Sequence, residues 1–389
     1  MEDALPRVPP PSPTHHRRRD TFGSLLFFIA TAAMGVAAFW PRAHAKLDAE
    51  NRALEPWPTT WSRGFASSFE RAFGDRFGGR EALLRLHNRT LVRAFAVSPA
   101  PNVLIAREGW LFFLGEDGRA LDRYHRAALP VSDADLHGVV AELKRRERFL
   151  AARGIAYVVT IAPDKFTIYP ELLPRWADAT HGATPLDRLV DAIRADGTLR
   201  FVDLRGPLRA AKPSERVYYA TDSHWNSLGA AVAYRAIMQA VSDALPGRRV
   251  VAAPVVPPEY VAGVDIYRGD IARMTGDPNW FGEPDYAPLW KILAAQDSRC
   301  AKRVDAGDDA GFEWYACARD GLPRAVVYRD SMAIPLIPLL SENFSRVAYV
   351  SSRRLDPAFI EREAPDIVIE EMVERAMLAP IGAPMPDVR

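Results

Sequence analysis

From Val103 onward, short apolar runs alternate with amphipathic helical patterns, and few architectures other than an α/β domain built on a parallel sheet accommodate that alternation. Ser132 with Asp135 three residues later reads as a capping box. The apolar positions Leu136, Val139, Val140 and Leu143 then share one helical face until Gly154 stops the helix. Ile155 to Ala162 reads as a buried strand, Thr184-Pro185 as the start of another helix, and Phe201 to Leu204 as the next strand. Asn226 caps a helix running from about Ser227 to Ala244. Strands resume at Arg324 to Tyr328, Arg346 to Val350 and Asp366 to Ile369, and an earlier strand, turn and strand run from Leu104 to Leu114. Residues from about 254 to 320 are rich in proline, glycine and aromatics without a period. They read as an irregular insertion carrying surface loops within a domain spanning 101–389.

The uncharged stretch 22–40 matches an apolar membrane-crossing helix, which advances about 1.5 Å per residue. Arg17-Arg18-Arg19 precede it, so the 1–21 tail is expected in the cytoplasm and the rest translocated, into the periplasm in a bacterium. A cleaved secretory signal ending near Ala43-His44-Ala45 is the alternative; the length of the run and Trp40 favour an uncleaved signal anchor in the inner membrane. Residues 41–100 read as a membrane-proximal helical connector. Phe65, Phe69, Phe73 and Phe77 make a stripe on one helical face, expected to pack onto the following domain, and a second helix follows from Glu81 to Val92.

Fifty basic residues against 49 acidic ones, without clustering, make no electrostatic case for nucleic acid. Two cysteines, Cys300 and Cys317, exclude a cysteine-based metal cluster; they serve either as one disulfide, the reading an oxidising compartment favours, or as two free thiols. His15 and His16 have nothing beside them to complete a metal site, and no cofactor is expected.

Two residues apart, before the helix that Asn226 caps, stand Asp222 and His224. If that segment is extended, both side chains face the same way, and a carboxylate holding one imidazole nitrogen leaves the other free as a general base. A hydroxyl nucleophile is available at Ser331, just after the apolar run Ala325-Val326-Val327-Tyr328. Each residue also has a plain reading: Asp222 as a turn cap, His224 as a satisfied histidine, and Asp330-Ser331 as a helix cap. A metal site would need a third ligand that no spacing suggests. Lys165 and Arg273 are candidates for meeting acidic sugars, against solvated or structural ion-pair roles. Trp225, Trp280, Phe281 and Trp290 are candidates for stacking on sugar rings, against plain packing roles for all of them.

From about Glu50 onward the chain resembles the AlgJ/AlgX group of polysaccharide O-acetyltransferases. The resemblance rests on Arg107-Glu108-Gly109-Trp110-Leu111-Phe112, Ala162-Pro163-Asp164-Lys165 with Tyr169-Pro170-Glu171, Thr221-Asp222-Ser223-His224-Trp225-Asn226, Gly269-Asp270, Arg329-Asp330-Ser331, and Pro365-Asp366-Ile367-Val368 with Glu374-Arg375. It implies an SGNH-hydrolase-like, flavodoxin-like three-layer domain with Asp222, His224 and Ser331 as the catalytic set. The order is permuted relative to ordinary SGNH hydrolases, in which the serine block comes first. Arg329 stands where those enzymes have glycine, and the Gly and Asn blocks that complete the oxyanion hole are unassigned in this sequence, so the second oxyanion donor is unassigned too. No carbohydrate-binding module is expected after the last helix. The resemblance further implies a polysaccharide acceptor and an MBOAT-type membrane protein that delivers acetyl groups. Three functions follow: an exopolysaccharide O-acetyltransferase, an SGNH-type esterase, or a non-catalytic scaffold of an export complex.

Overall fold

The computed structural model describes residues 24–25, 27–33, 35–36, 46–47, 52–77, 80–177, 182–248, 250, 266–276, 278–284, 300, 302–304 and 311–379. The chain divides into two compact units, 1–95 and 96–389. In the first, the four-residue aromatic period becomes a ladder on the helix Phe65–Arg76. Trp61, Phe65, Phe69, Phe73 and Phe77 follow one another at ring-centroid distances of 4.1, 6.2, 6.1 and 6.1 Å. Trp57 lies against Phe69, with the Arg76 guanidinium over its ring. A second helix, Arg80–Phe95, follows. Of the apolar stretch 22–40, residues 24–25, 27–33 and 35–36 are described and helical, while Trp40 lies outside the described residues. Among the described residues no helix is long and apolar enough to cross a membrane.

The second unit is built on a seven-stranded sheet. Its strands in chain order are β1 (Ala156–Ala162), β2 (Phe201–Asp203), β3 (Lys302–Val304), β4 (Phe312–Ala316), β5 (Arg324–Tyr328), β6 (Arg346–Val350) and β7 (Ile367–Val373). They lie in the order β2-β1-β7-β5-β6-β4-β3. The first five run parallel, but β4 pairs antiparallel with both β6 and β3. The expected parallel sheet is therefore a mixed one. Its antiparallel edge comes from the end of the segment read as irregular loops: β3 and β4 form a hairpin, which needs no crossover helix. A Cys300–Cys317 disulfide ties a residue two positions before β3 to the residue after β4. β7 also runs four residues past the expected Ile369, because Glu370 and Glu371 interrupt its apolar run yet are buried. Glu370 accepts from Arg146 (2.6 Å) on helix α1 (Asp133–Ala151) and from the Tyr157 hydroxyl on β1. That buried pair shows α1 covering one face of the sheet.

Helices form where the caps predict them. Ser132 and Thr184 make reciprocal capping boxes at α1 and α2 (Pro185–Asp196), and Asn226 caps α3 (Ser227–Ala244) through the N–H groups of Leu228 and Gly229. Helix α3 starts hard against the preceding chain, since a Cβ on Gly229 would lie 2.1 Å from the Val217 carbonyl oxygen. The Asp222-to-His224 segment is not extended. Tyr218 and Trp225 bridge antiparallel, so the residues between them fold back as a tight loop.

Candidate active site

The loop's conformation follows from how its peptide groups are satisfied. Glu283, buried on the short strand Glu283–Pro284, accepts from the N–H groups of Ala220 (2.8 Å) and Thr221 (2.7 Å) and from the Thr221 hydroxyl (2.7 Å). The carbonyls face the other way, toward Lys165. Its ammonium donates to the carbonyl oxygens of Tyr219 (3.0 Å), Ala220 (3.1 Å) and Asp222 (2.7 Å). Gly269 closes in so tightly that a Cβ there would sit 2.4 Å from the Thr221 carbonyl oxygen and 2.5 Å from Asp222 Cα.

Folded in this way, the loop places three predicted residues in series. Asp222 Oδ1 accepts from His224 Nδ1 at 2.6 Å and from the His224 backbone N–H at 3.0 Å. On the far side of the ring, His224 Nε2 lies 2.9 Å from Ser331 Oγ. Ser331 is exposed and opens a 3-10 helix, Ser331–Leu336, after the carboxyl end of β5. The cap reading of Asp330 also holds: its carboxylate accepts from Met332 N (2.8 Å) and from Val373 N (2.6 Å), which fixes the serine turn to β7. At the first position of this helix the Ser331 N–H has no partner within the helix. Arg329, in place of glycine, reaches Glu313 on β4 at 3.3 Å.

Residues that no spacing suggested complete the surroundings. The Tyr267 hydroxyl (2.6 Å) and the Asp270 N–H (2.9 Å) both donate to Asp222 Oδ2. Asp270 accepts from Ser223 N (2.7 Å) and Ser223 Oγ (2.5 Å), and its own carboxylate stands 3.7 Å from His224 Nδ1. Burial works to raise the Asp222 pKa, but the hydrogen bond and charge of His224, with Tyr267 and the Asp270 N–H, hold it far below the usual carboxylate range. Burial likewise works to lower His224; the Asp222 hydrogen bond and charge, joined by the Asp270 charge, outweigh it and raise the imidazole above its ordinary value. Asp222, His224 and Asp270 bring potential ligand atoms within 4.8 Å of one another. Both Asp222 oxygens are already taken by donors, so the cluster is a hydrogen-bonded array and not a vacant metal cage.

Two substrate-binding expectations change. Lys165 is buried, with all three ammonium protons on loop carbonyls, so it braces the loop and does not meet a sugar. Trp225 is fully buried in the core, edge-on to Tyr218, and offers no stacking face. Arg273 is exposed on the short helix Asp270–Met274. Trp280 and Phe281 are half-buried, and Trp290 lies outside the described residues.

A family model described as ALGX, an SGNH hydrolase-like domain of the acetyltransferase AlgX, matches residues 103–299. The chain belongs to this family. Curated relatives described as "Probable alginate O-acetylase AlgJ" include proteins of Pseudomonas fluorescens and Pseudomonas aeruginosa. The first is 30% identical over 147 residues, 38% of this chain and 35% of that protein; the second is 36% identical over 131 residues, 33% and 30%. The chain thus spans about a third of the length of these relatives. Among solved structures, Bacillus cereus PatB1 superposes with a TM-score of 0.53 at 14% identity, covering 73% of this chain and 99% of that one. That likeness is one of fold. Within the AlgX-family match lie Lys165, Asp222, His224, Asp270 and Glu283, whereas Ser331 comes after it.

Proposed function

We propose that this chain is an O-acetyltransferase that passes acetyl groups to hydroxyls of an exopolysaccharide through an acetyl-serine intermediate. The carrying observation is the hydrogen-bonded series Asp222, His224, Ser331, ending on an exposed hydroxyl in a chain of the AlgX family. In the neutral ring, Nδ1–H donates to Asp222 and Nε2 accepts from the serine. His224 takes the Ser331 proton as Oγ attacks the carbonyl carbon of an acetyl ester, and returns it to the departing alkoxide. The Ser331 N–H stabilises the tetrahedral oxyanion. A sugar hydroxyl then gives its proton to His224 and attacks the acetyl-serine; the proton returns to Oγ as the ester bond to serine breaks. Asp222 stabilises the imidazolium throughout.

On this reading the apolar stretch 22–40 is a signal anchor that holds the enzyme at the inner membrane, with the described α/β unit in the periplasm. An MBOAT-type membrane protein supplies the acetyl groups, and the acceptor is a glycan of the kind named for the AlgJ relatives, alginate. The test is to incubate the chain with an acetyl ester, with and without oligosaccharide acceptors, and to follow products by mass spectrometry. Acetylated sugar is expected, with at least a thousandfold loss in Ser331→Ala. Acetate release without transfer to any acceptor would make the enzyme an esterase, and unchanged turnover in Ser331→Ala would refute the nucleophile.

A further inference from the structure

The loop that carries Asp222 and His224 lies between two buried groups of opposite charge, neither of which touches the reacting atoms. Lys165, only 3% exposed, takes the carbonyls of Tyr219, Ala220 and Asp222 on one side. Glu283, 4% exposed, takes the amides of Ala220 and Thr221 on the other and is joined there by Arg216 at 3.3 Å. The Tyr219–Ala220 and Ala220–Thr221 peptide planes therefore point along the line from the anion to the cation.

We propose that Lys165 and Glu283 are positioning residues that clamp the loop between them, and that loss of the Lys165 proton releases the loop and withdraws the His224 base. This rests on the reading of Ser331 as the nucleophile. The donor count carries the second half of the proposal. An ammonium has three N–H donors for three carbonyls, whereas a neutral amine has two and turns a lone pair toward the third. The Ala220 carbonyl also accepts from the Leu111 N–H at 2.9 Å, so the cost falls on whichever carbonyl meets the lone pair, and the Asp222 carbonyl, held at 2.7 Å, belongs to the residue that orients the imidazole. The groups facing the ammonium are Glu283, Asp222 and Asp270, which favour its charge, and Arg216, which opposes it; the rings of Trp110 and Phe112 stand 5.5 and 5.3 Å away. Burial outweighs the three carboxylates and brings the lysine down to about 8, within reach of ordinary pH.

The experiment follows nucleophile activation without any acceptor. The full chain reacts with phenylmethylsulfonyl fluoride from pH 6 to 9.5, and the rate at which Ser331 gains the sulfonyl group and fluoride departs is read by mass spectrometry. In the native protein the rate climbs as His224 loses its proton, then falls above about pH 8 as Lys165 loses its own. Lys165→Met is expected to react at least tenfold more slowly at pH 7.5 and to show no alkaline fall. Lys165→Arg keeps a charge that does not titrate in this range, so it reacts faster than Lys165→Met and holds its rate above pH 8. Glu283→Gln removes an anion that holds the lysine proton, so the alkaline fall moves to lower pH; this variant tests the clamp even if Lys165→Met fails to fold. An alkaline fall that persists unchanged in Lys165→Arg, or a Lys165→Met rate within twofold of native, would overturn the clamp and leave the nucleophile standing. No labelling of Ser331 in the native chain would overturn both.

Discussion

Gly269 is the residue whose missing side chain matters most, because the space a Cβ would need is filled by Asp222 and the Thr221 carbonyl. Its φ of −67° suits any residue, so the demand is for room and not for a left-handed backbone. Gly269→Ala is expected to push the Asp222 loop aside and slow sulfonylation of Ser331 at least tenfold, with folding checked by circular dichroism. Asp270 acts through charge. Removing it in Asp270→Asn takes away an anion 3.7 Å from Nδ1 that helps keep the imidazole protonated. The neutral ring is the base, so the acidic limb of the rate profile should move to lower pH. Asp222, His224 and Ser331 were legible in the sequence because each pairs a chemically telling residue with an element boundary. Tyr267 and Glu283 were not, since the segment holding them has no period to place its side chains, and Gly269-Asp270 marked the resemblance without a role. Lys165 and Trp225 were misjudged for a different reason: a cation or an indole beside a motif looks like a ligand contact until its burial is known.

At the scale of elements, caps were the most faithful signal. The Asn226 side chain caps two N–H groups of α3 and also donates to the Arg216 carbonyl at 2.6 Å, so one residue fastens the helix to the start of the loop. Asn226→Ala is expected to cost about 1–2 kcal/mol in a urea unfolding experiment, above a simple cap because the Arg216 carbonyl also loses its donor. The central parallel strands were readable as continuous apolar runs, the mark of burial on both faces. The β3–β4 hairpin was not: Phe312–Ala316 is short, carries Glu313, and follows a stretch rich in polar and charged residues. The carboxyl end of β7 was hidden by Glu370 and Glu371, whose charges disguise a strand that the pairing partners Arg146, Tyr157 and the Asp330 N–H make buriable.

For the whole molecule, the buried acids set a pH dependence of stability with two opposing slopes. Glu374, Glu371 and Asp164 are raised chiefly by burial, Glu374 to about 8, so the folded chain holds these protons more tightly than the unfolded chain. Stability from them is complete below the ordinary carboxylate range and is lost as pH rises toward 8; the raised His224 acts in the same direction. Asp222 and Asp187 are lowered, so their contribution is present above 3.8 and disappears in acid. The urea midpoint should therefore peak on the mildly acidic side and decline from pH 5 to 8, and Glu374→Gln should flatten that decline. A midpoint that rises across the interval would contradict the assignment. The short segment 266–284 has a wider consequence. It supplies the hydroxyl, the amide and two carboxylates that the Asp222 loop depends on, although some forty residues of chain separate the two. The two segments are therefore one heritable module. A chimera that imports the loop of another family member without its matching 266–284 partner should fold its sheet and lose its base, and recombination within this family is free to cut elsewhere but not between these two pieces.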